Sequence, residues 1–184
     1  MSFSPSAATS CRRPYCQGIE EMQPQPPFSD PVRLGPADAA LLAGLEARAF
    51  PDAWDEAAFV AALARPVFAA FGIRQENGLA AYATFHFLGE EFEVVNIATD
   101  PGLRGRGMAS RLLGHVLQHT DKAGMNQGYL EVRAGNVPAK KLYLRHGFAV
   151  VGVRKRYYAD NGEDALIMVR FAGQEQAVSS PTHY

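Results

Sequence analysis

Cysteine is scarce in this chain: Cys11 and Cys16 are the only two in 184 residues, and both lie near the N-terminus. That excludes a disulfide framework in the body of the chain and suits a reducing cytoplasm. Long apolar runs are also lacking, so no segment approaches the ~20 residues a membrane-spanning helix needs. Arg12-Arg13 is not followed by the apolar stretch of a secretion signal. Charge of one sign is missing too: 18 Lys and Arg against 19 Asp and Glu leave a formal net charge of −1. A global field for nucleic acid is thereby excluded. The expectation is a cytoplasmic protein with no membrane contact and no direct nucleic-acid binding.

What remains is ordinary for one folded domain, with a hydrophobic fraction of 47%. Residues 1–30 are rich in Ser, Pro and Gln and read as a disordered extension. A domain over 31–172 follows, and 173–184 read as a flexible tail. Val32-Arg33-Leu34 suits a short strand. Pro36 and Asp38 mark a helix start, with Leu41, Leu42, Leu45 and Phe50 as its apolar stripe. Asp55 caps a second helix that ends before Pro66. Strand-like runs at 67–75, 79–88 and 92–99 are joined by Glu76-Asn77-Gly78 and Gly89-Glu90-Glu91. A helix over about 105–123 comes next, then a strand at 129–134. Asn136 caps a helix reaching His146, and a hairpin of 148–156 and 163–171 closes the domain. This order is mixed α/β.

The organising stretch is Asn96–Ser110. A β-branched strand ends at Thr99, Asp100-Pro101-Gly102 turns, and Arg104-Gly105-Arg106-Gly107 leads into a helix. Met108, Leu112, Leu113, Val116 and Leu117 share one face of that helix. Free N–H groups at a helix start, glycines and arginines together suit an anion such as a phosphate. A P-loop lysine is absent, and Ser110 stands where a dinucleotide fingerprint needs its third glycine. From the residues alone, a ligand-free βα turn is an equal reading.

Two further residues suit acid–base chemistry. Glu131 lies in a strand whose Leu130, Val132 and Ala134 share the opposite face. It reads either as a general base with a pKa raised by partial desolvation or as one half of an ion pair with Arg133 or a loop arginine. Tyr143 reads either as a packed helical aromatic or as a general acid. His115 and His119 have metal-like spacing without a third ligand, so no metal is expected.

R-G-R-G-M-A (104–109) resembles the pyrophosphate-loop signature of the GNAT N-acetyltransferases. V-N-I-A-T-D-P, L-E-V-R-A-G-N, L-Y-L-R-H-G-F and R-K-R-Y-Y-A-D-N-G-E-D-A-L-I-M follow that family's order and spacing. They are most similar to its ribosomal-protein alanine N-acetyltransferase branch, over about Val32 to Phe171. The resemblance implies a central, mostly antiparallel mixed sheet of about seven strands with four helices, and acetyl-CoA as co-substrate. By position it implies Glu131 as general base and Tyr143 as general acid. Ile97, Ala98 and Thr99 would pair with the pantetheine arm. Arg104, Gly105, Arg106, Gly107, Met108, Ala109 and Ser110 would hold the pyrophosphate, and Asn136 would contact the cofactor while capping its helix. Trp54, Tyr157 and Tyr158 would line the acceptor slot. One departure stands out, since Asp52-Ala53 separates Phe50-Pro51 from Trp54.

The implied activity is direct transfer of acetyl to the N-terminal α-amine, an alanine, of a ribosomal-protein peptide, by a monomer or weak dimer. A small amine or lysine acceptor, and a non-catalytic acyl-CoA-binding module, are the alternatives. Glu90, Glu91 and Glu93, with Asp160, Glu163 and Asp164, read either as attractors of a basic peptide or as solvated hairpin charges.

Overall fold

The computed structural model describes residues 28–173. Its seven strands are β1 (Val32–Leu34), β2 (Phe68–Gln75), β3 (Gly78–Leu88), β4 (Glu91–Thr99), β5 (Gln127–Arg133), β6 (Ala149–Arg154) and β7 (Ala165–Phe171). They form one sheet in the order β1-β2-β3-β4-β5-β7-β6. Every neighbouring pair is antiparallel except β4 and β5. The four α-helices are α1 (Ala39–Ala49), α2 (Glu56–Leu63), α3 (Met108–Lys122) and α4 (Val137–Arg145). The expectation of a mixed α/β sheet of about seven strands with four helices therefore holds. The extension expected over 1–30 lies outside the described residues up to residue 27. Ser29 already bonds β2, its amide donating to the Arg74 carbonyl at 3.0 Å.

Local chemistry explains the boundaries. Asp55 accepts the Ala58 amide at the start of α2, and Asn136 accepts the Ala139 amide at 3.1 Å at the start of α4. Gly78, Gly124 and Gly147 all take positive φ where a strand or helix must turn. The third helix begins at Met108, not near Gly105 as expected. Gly105 and Gly107 have φ of 79° and 78°, which no right-handed helix can include.

The sheet buries both faces. Leu112, Leu113, Val116 and Leu117 of α3, with Tyr143 and Phe148, pack on Phe85, Phe92, Val94, Leu130 and Val132. Leu42 and Leu45 of α1 and Phe59 of α2 pack on Leu34, Ala70, Leu79, Tyr82 and Ala98. Leu130 and Val132 thus face α3, and the alternation turns Glu131 to the face that carries α1 and α2.

Two irregularities in β4 make room for a site. Thr84 opposes Asn96 while Phe85 opposes Val94, so Val95 is the extra residue of a β-bulge. The parallel pairing with β5 covers only Glu91–Glu93 against Gln127–Tyr129. Beyond it the two strands diverge, and the end of β4 presents backbone groups to a gap.

Candidate active site

The gap opens into a cleft of about 690 Å³. Ile97, Ala98 and Thr99 of β4 form one wall, and Arg104, Gly105, Gly107, Met108, Ala109 and Ser110 form another. Asn136 and Tyr143 from the α4 region complete it. All but one of the residues expected at the cofactor therefore meet around one space, although they come from three separate stretches of chain. Arg106 is the exception: it is exposed and not in the lining.

No side chain caps α3, whose N-cap is Gly107 in the left-handed region. Its first amides, those of Met108, Ala109 and Ser110, are left to whatever occupies the cleft. The helix dipole is positive at that end, and Arg104 adds a full charge. Ser110 Oγ lies 2.9 Å from His146 Nε2, which ties the loop to the far end of α4. On the other side, Asp100 accepts from the Gly102 amide at 3.0 Å and from Arg48 at 2.9 Å, so the turn before the loop is held by α1. A β-strand edge for an extended amide-bearing arm, followed by a glycine loop for a phosphate, fits the chemistry of coenzyme A.

Tyr143 lines this cleft at 8% exposure, edge-on to Phe148. Burial pushes its phenol pKa well up, and the neighbouring Tyr158 adds to the rise. The hydroxyl is thus protonated at any ordinary pH. Glu131 is not in the cleft lining. Its carboxylate pairs with Arg154 Nε at 3.1 Å and accepts a hydrogen bond from Tyr157. The arginine is that of β6, not Arg133, which stacks on Tyr158 at 3.8 Å and pairs with Asp160 and Glu163. Burial raises the phenol pKa of Tyr158, against the neighbouring Arg133 charge, which lowers it. Of the acidic groups read as peptide attractors, Asp160, Glu163 and Asp164 are held in ion pairs with Arg133 and Lys155.

Trp54 lies apart from the cleft lining. It stands over a smaller hollow with Phe59, Tyr82, Asn96 and Glu46. Glu46 was not anticipated, although a signal existed. Leu42, Leu45, Glu46 and Ala49 fall at helical spacing on one face, so the carboxylate sits in an apolar stripe.

Residues 40–148 match the acetyltransferase (GNAT) family. The chain belongs to that family. Among proteins similar to this GNAT chain, the N-alpha-acetyltransferase RimI of Mycobacterium tuberculosis is 42% identical over 154 residues, 79% of this chain and 96% of that protein. An uncharacterized protein of Mycobacterium leprae is 39% identical over 177 residues, 91% of this chain; the chain spans 47% of that protein's length. Among solved structures, the ribosomal-protein-S18-alanine N-acetyltransferase from Escherichia coli superposes with a TM-score of 0.73 at 29% identity, over 83% of this chain and 99% of that one. Acetyl-CoA is the family's acetyl donor, and the cleft described above suits it in shape and in polarity. Among the described residues, no group of three or more His, Cys, Asp or Glu is placed to hold a metal. No helix there is long and apolar enough to cross a membrane.

Proposed function

We propose that this chain moves acetyl from acetyl-CoA to the N-terminal α-amine, an alanine, of a ribosomal protein. The observation that carries the reading is the convergence of the splayed end of β4, the uncapped start of α3 and the Tyr143 phenol on one cleft. The substrate is suggested by the RimI relative and by the E. coli ribosomal-protein enzyme with the same fold.

The amine nitrogen attacks the thioester carbonyl carbon, a C–N bond forms and the C–S bond breaks. A backbone N–H at the end of β4 polarises the carbonyl oxygen. Glu131 accepts the proton the amine loses, directly or through a water, and Tyr143 gives its proton to the leaving sulfur. Support for direct transfer comes from the described residues of the cleft lining, none of which is a cysteine that could carry an acyl group. An α-amine, with a reference pKa of about 8 against about 10.4 for lysine, asks less of a single carboxylate base.

The test is mass spectrometry of peptides incubated with acetyl-CoA. One carries a free alanine N-terminus and a ribosomal-protein sequence; the other is N-terminally blocked with free lysines. Acetylation of the free terminus alone is expected, with kcat lowered ~10²-fold or more in Glu131→Gln and in Tyr143→Phe. Transfer to lysine only, or full activity in either variant, would refute the acceptor or the assigned roles respectively.

A further inference from the structure

The smaller hollow beside the cleft holds about 130 Å³. That is well below the roughly 300–1,000 Å³ of a site for a whole small molecule, so it suits a single group. The hollow and the cleft share two elements. On α1, Glu46 lines the hollow while Ala49, with Phe50 just past the helix end, lines the cleft; on β4, Val95 and Asn96 line the hollow while Ile97, Ala98 and Thr99 line the cleft. The hollow therefore lies next to the strand end where acetyl transfer takes place.

Its chemistry is one-sided. Glu46 is 3% exposed, and no cationic side chain is among the described lining residues. Asn96 Nδ2 reaches its two oxygens at 3.3 and 3.4 Å, and the Trp54 amide donates a third hydrogen bond. Asn96 also donates to the Tyr82 hydroxyl at 3.1 Å. A carboxylate has about four acceptor positions, so capacity remains. A buried carboxylate facing open space without a counter-charge is costly, and such groups concentrate at functional sites. Trp54 and Phe59, with rings 5.5 Å apart, supply an apolar wall beside it. Burial lifts the Glu46 carboxyl pKa to about 7, outweighing the Trp54 amide that lowers it. The neutral groups facing it are the Tyr82 phenol and Thr84 from β3, Asn96 from β4 and the Trp54 indole.

We propose that this hollow seats the charged amino terminus of the acceptor peptide, with Glu46 as the counter-ion of the α-ammonium and Trp54 and Phe59 against its first side chain. This rests on the α-amine reading of the acceptor. Glu46 acts as a positioning and specificity residue: it docks the ammonium, and the proton leaves only at transfer.

The test uses the full chain saturated with CoA, so that no transfer occurs, and two peptides of one sequence, with a free or an acetylated N-terminus. Calorimetry is expected to show the free terminus bound ~10-fold or more tightly over the blocked one by the wild type. The preference is expected to vanish in Glu46→Gln and to shrink in Glu46→Asp, with acetyl-CoA affinity unchanged in both. In ¹³C-glutamate NMR of the wild type near pH 7, the free-terminus peptide is expected to drive the Glu46 carboxyl to its ionised position. An undiminished preference in Glu46→Gln, a carboxyl resonance unmoved by saturating peptide, or Glu46-dependent binding of a lysine in the blocked peptide would overturn the proposal. Free termini acetylated by wild type and by Glu46→Gln with the same peptide KM would overturn this inference alone. A wild type that acetylates no peptide amine removes the functional reading beneath it.

Discussion

Replacing Gly107 by alanine isolates what the loop backbone contributes to cofactor binding. Gly107 has φ 78° and ψ 6°, in the left-handed region, and is the N-cap of α3. An added Cβ meets no protein atom within 4 Å, so packing within the protein cannot account for an effect. The left-handed conformation costs an L-residue about 1–2 kcal/mol. Stiffening the unfolded chain returns about 0.4–1 kcal/mol. Net destabilisation of the fold is therefore between about 0 and 1.6 kcal/mol. If the free loop escapes the strain by leaving this conformation, the whole 1–2 kcal/mol reappears on binding. Acetyl-CoA affinity then falls about 5- to 30-fold. Isothermal titration of acetyl-CoA, with thermal unfolding alongside, reads both quantities. Gly35→Ala is the control: its φ is −119° and its Cβ site is equally open, so affinity stays at wild type while stability rises by about 0.4–1 kcal/mol. Gly107→Asn recovers most of the lost affinity, because asparagine tolerates this region. Wild-type affinity in Gly107→Ala refutes the reasoning. An asparagine variant worse than alanine also refutes it, since bulk against the ligand would then be the cause.

Glu46→Gln also makes a stability prediction. The folded carboxyl has a pKa of about 7 against 4.5 unfolded, so the folded state holds the extra proton between those values. Unfolding free energy is therefore lost as pH rises through that window, by up to about 3 kcal/mol. Urea unfolding is expected to show the variant more stable than wild type by about that amount near pH 8, and equal to it below about pH 4. Equal stability at both would contradict the burial cost assigned to the Glu46 carboxylate. Gly128→Ala tests the core beneath the splay. The new Cβ would lie 2.2–2.7 Å from the Phe92 ring, itself 1% exposed, so a melting temperature lowered by the equivalent of about 1–3 kcal/mol or more is expected. An unchanged melting temperature would mean that Phe92 has room to move.

Much of the molecule was legible in the chain. Periodicity named the buried stripe of α3, and turn residues placed every hairpin, because both signals act over a few neighbouring residues. The glycine loop was readable for the same reason, although its two positive-φ glycines keep α3 from starting before Met108. Glu131 was read with an arginine partner as one option, but the arginine comes from β6 through the β6–β7 hairpin, not from its own strand.

The sequence by itself determined the elements, the loop that suits an anion and the family. Helix spacing, strand alternation and glycine conformations depend on adjacent residues, and the family motifs are linear. Tertiary structure alone decided where β4 parts from β5. That divergence follows the bulge at Val95 and a parallel pairing that stops at Glu93, and both depend on strands far apart in the chain. It also decided that Glu46, one letter in an apolar helix, becomes a buried charge beside Trp54 and Asn96. Burial is a property of what packs over a residue, and here the covering groups come from α1, the α1–α2 connection, β3 and β4 at once.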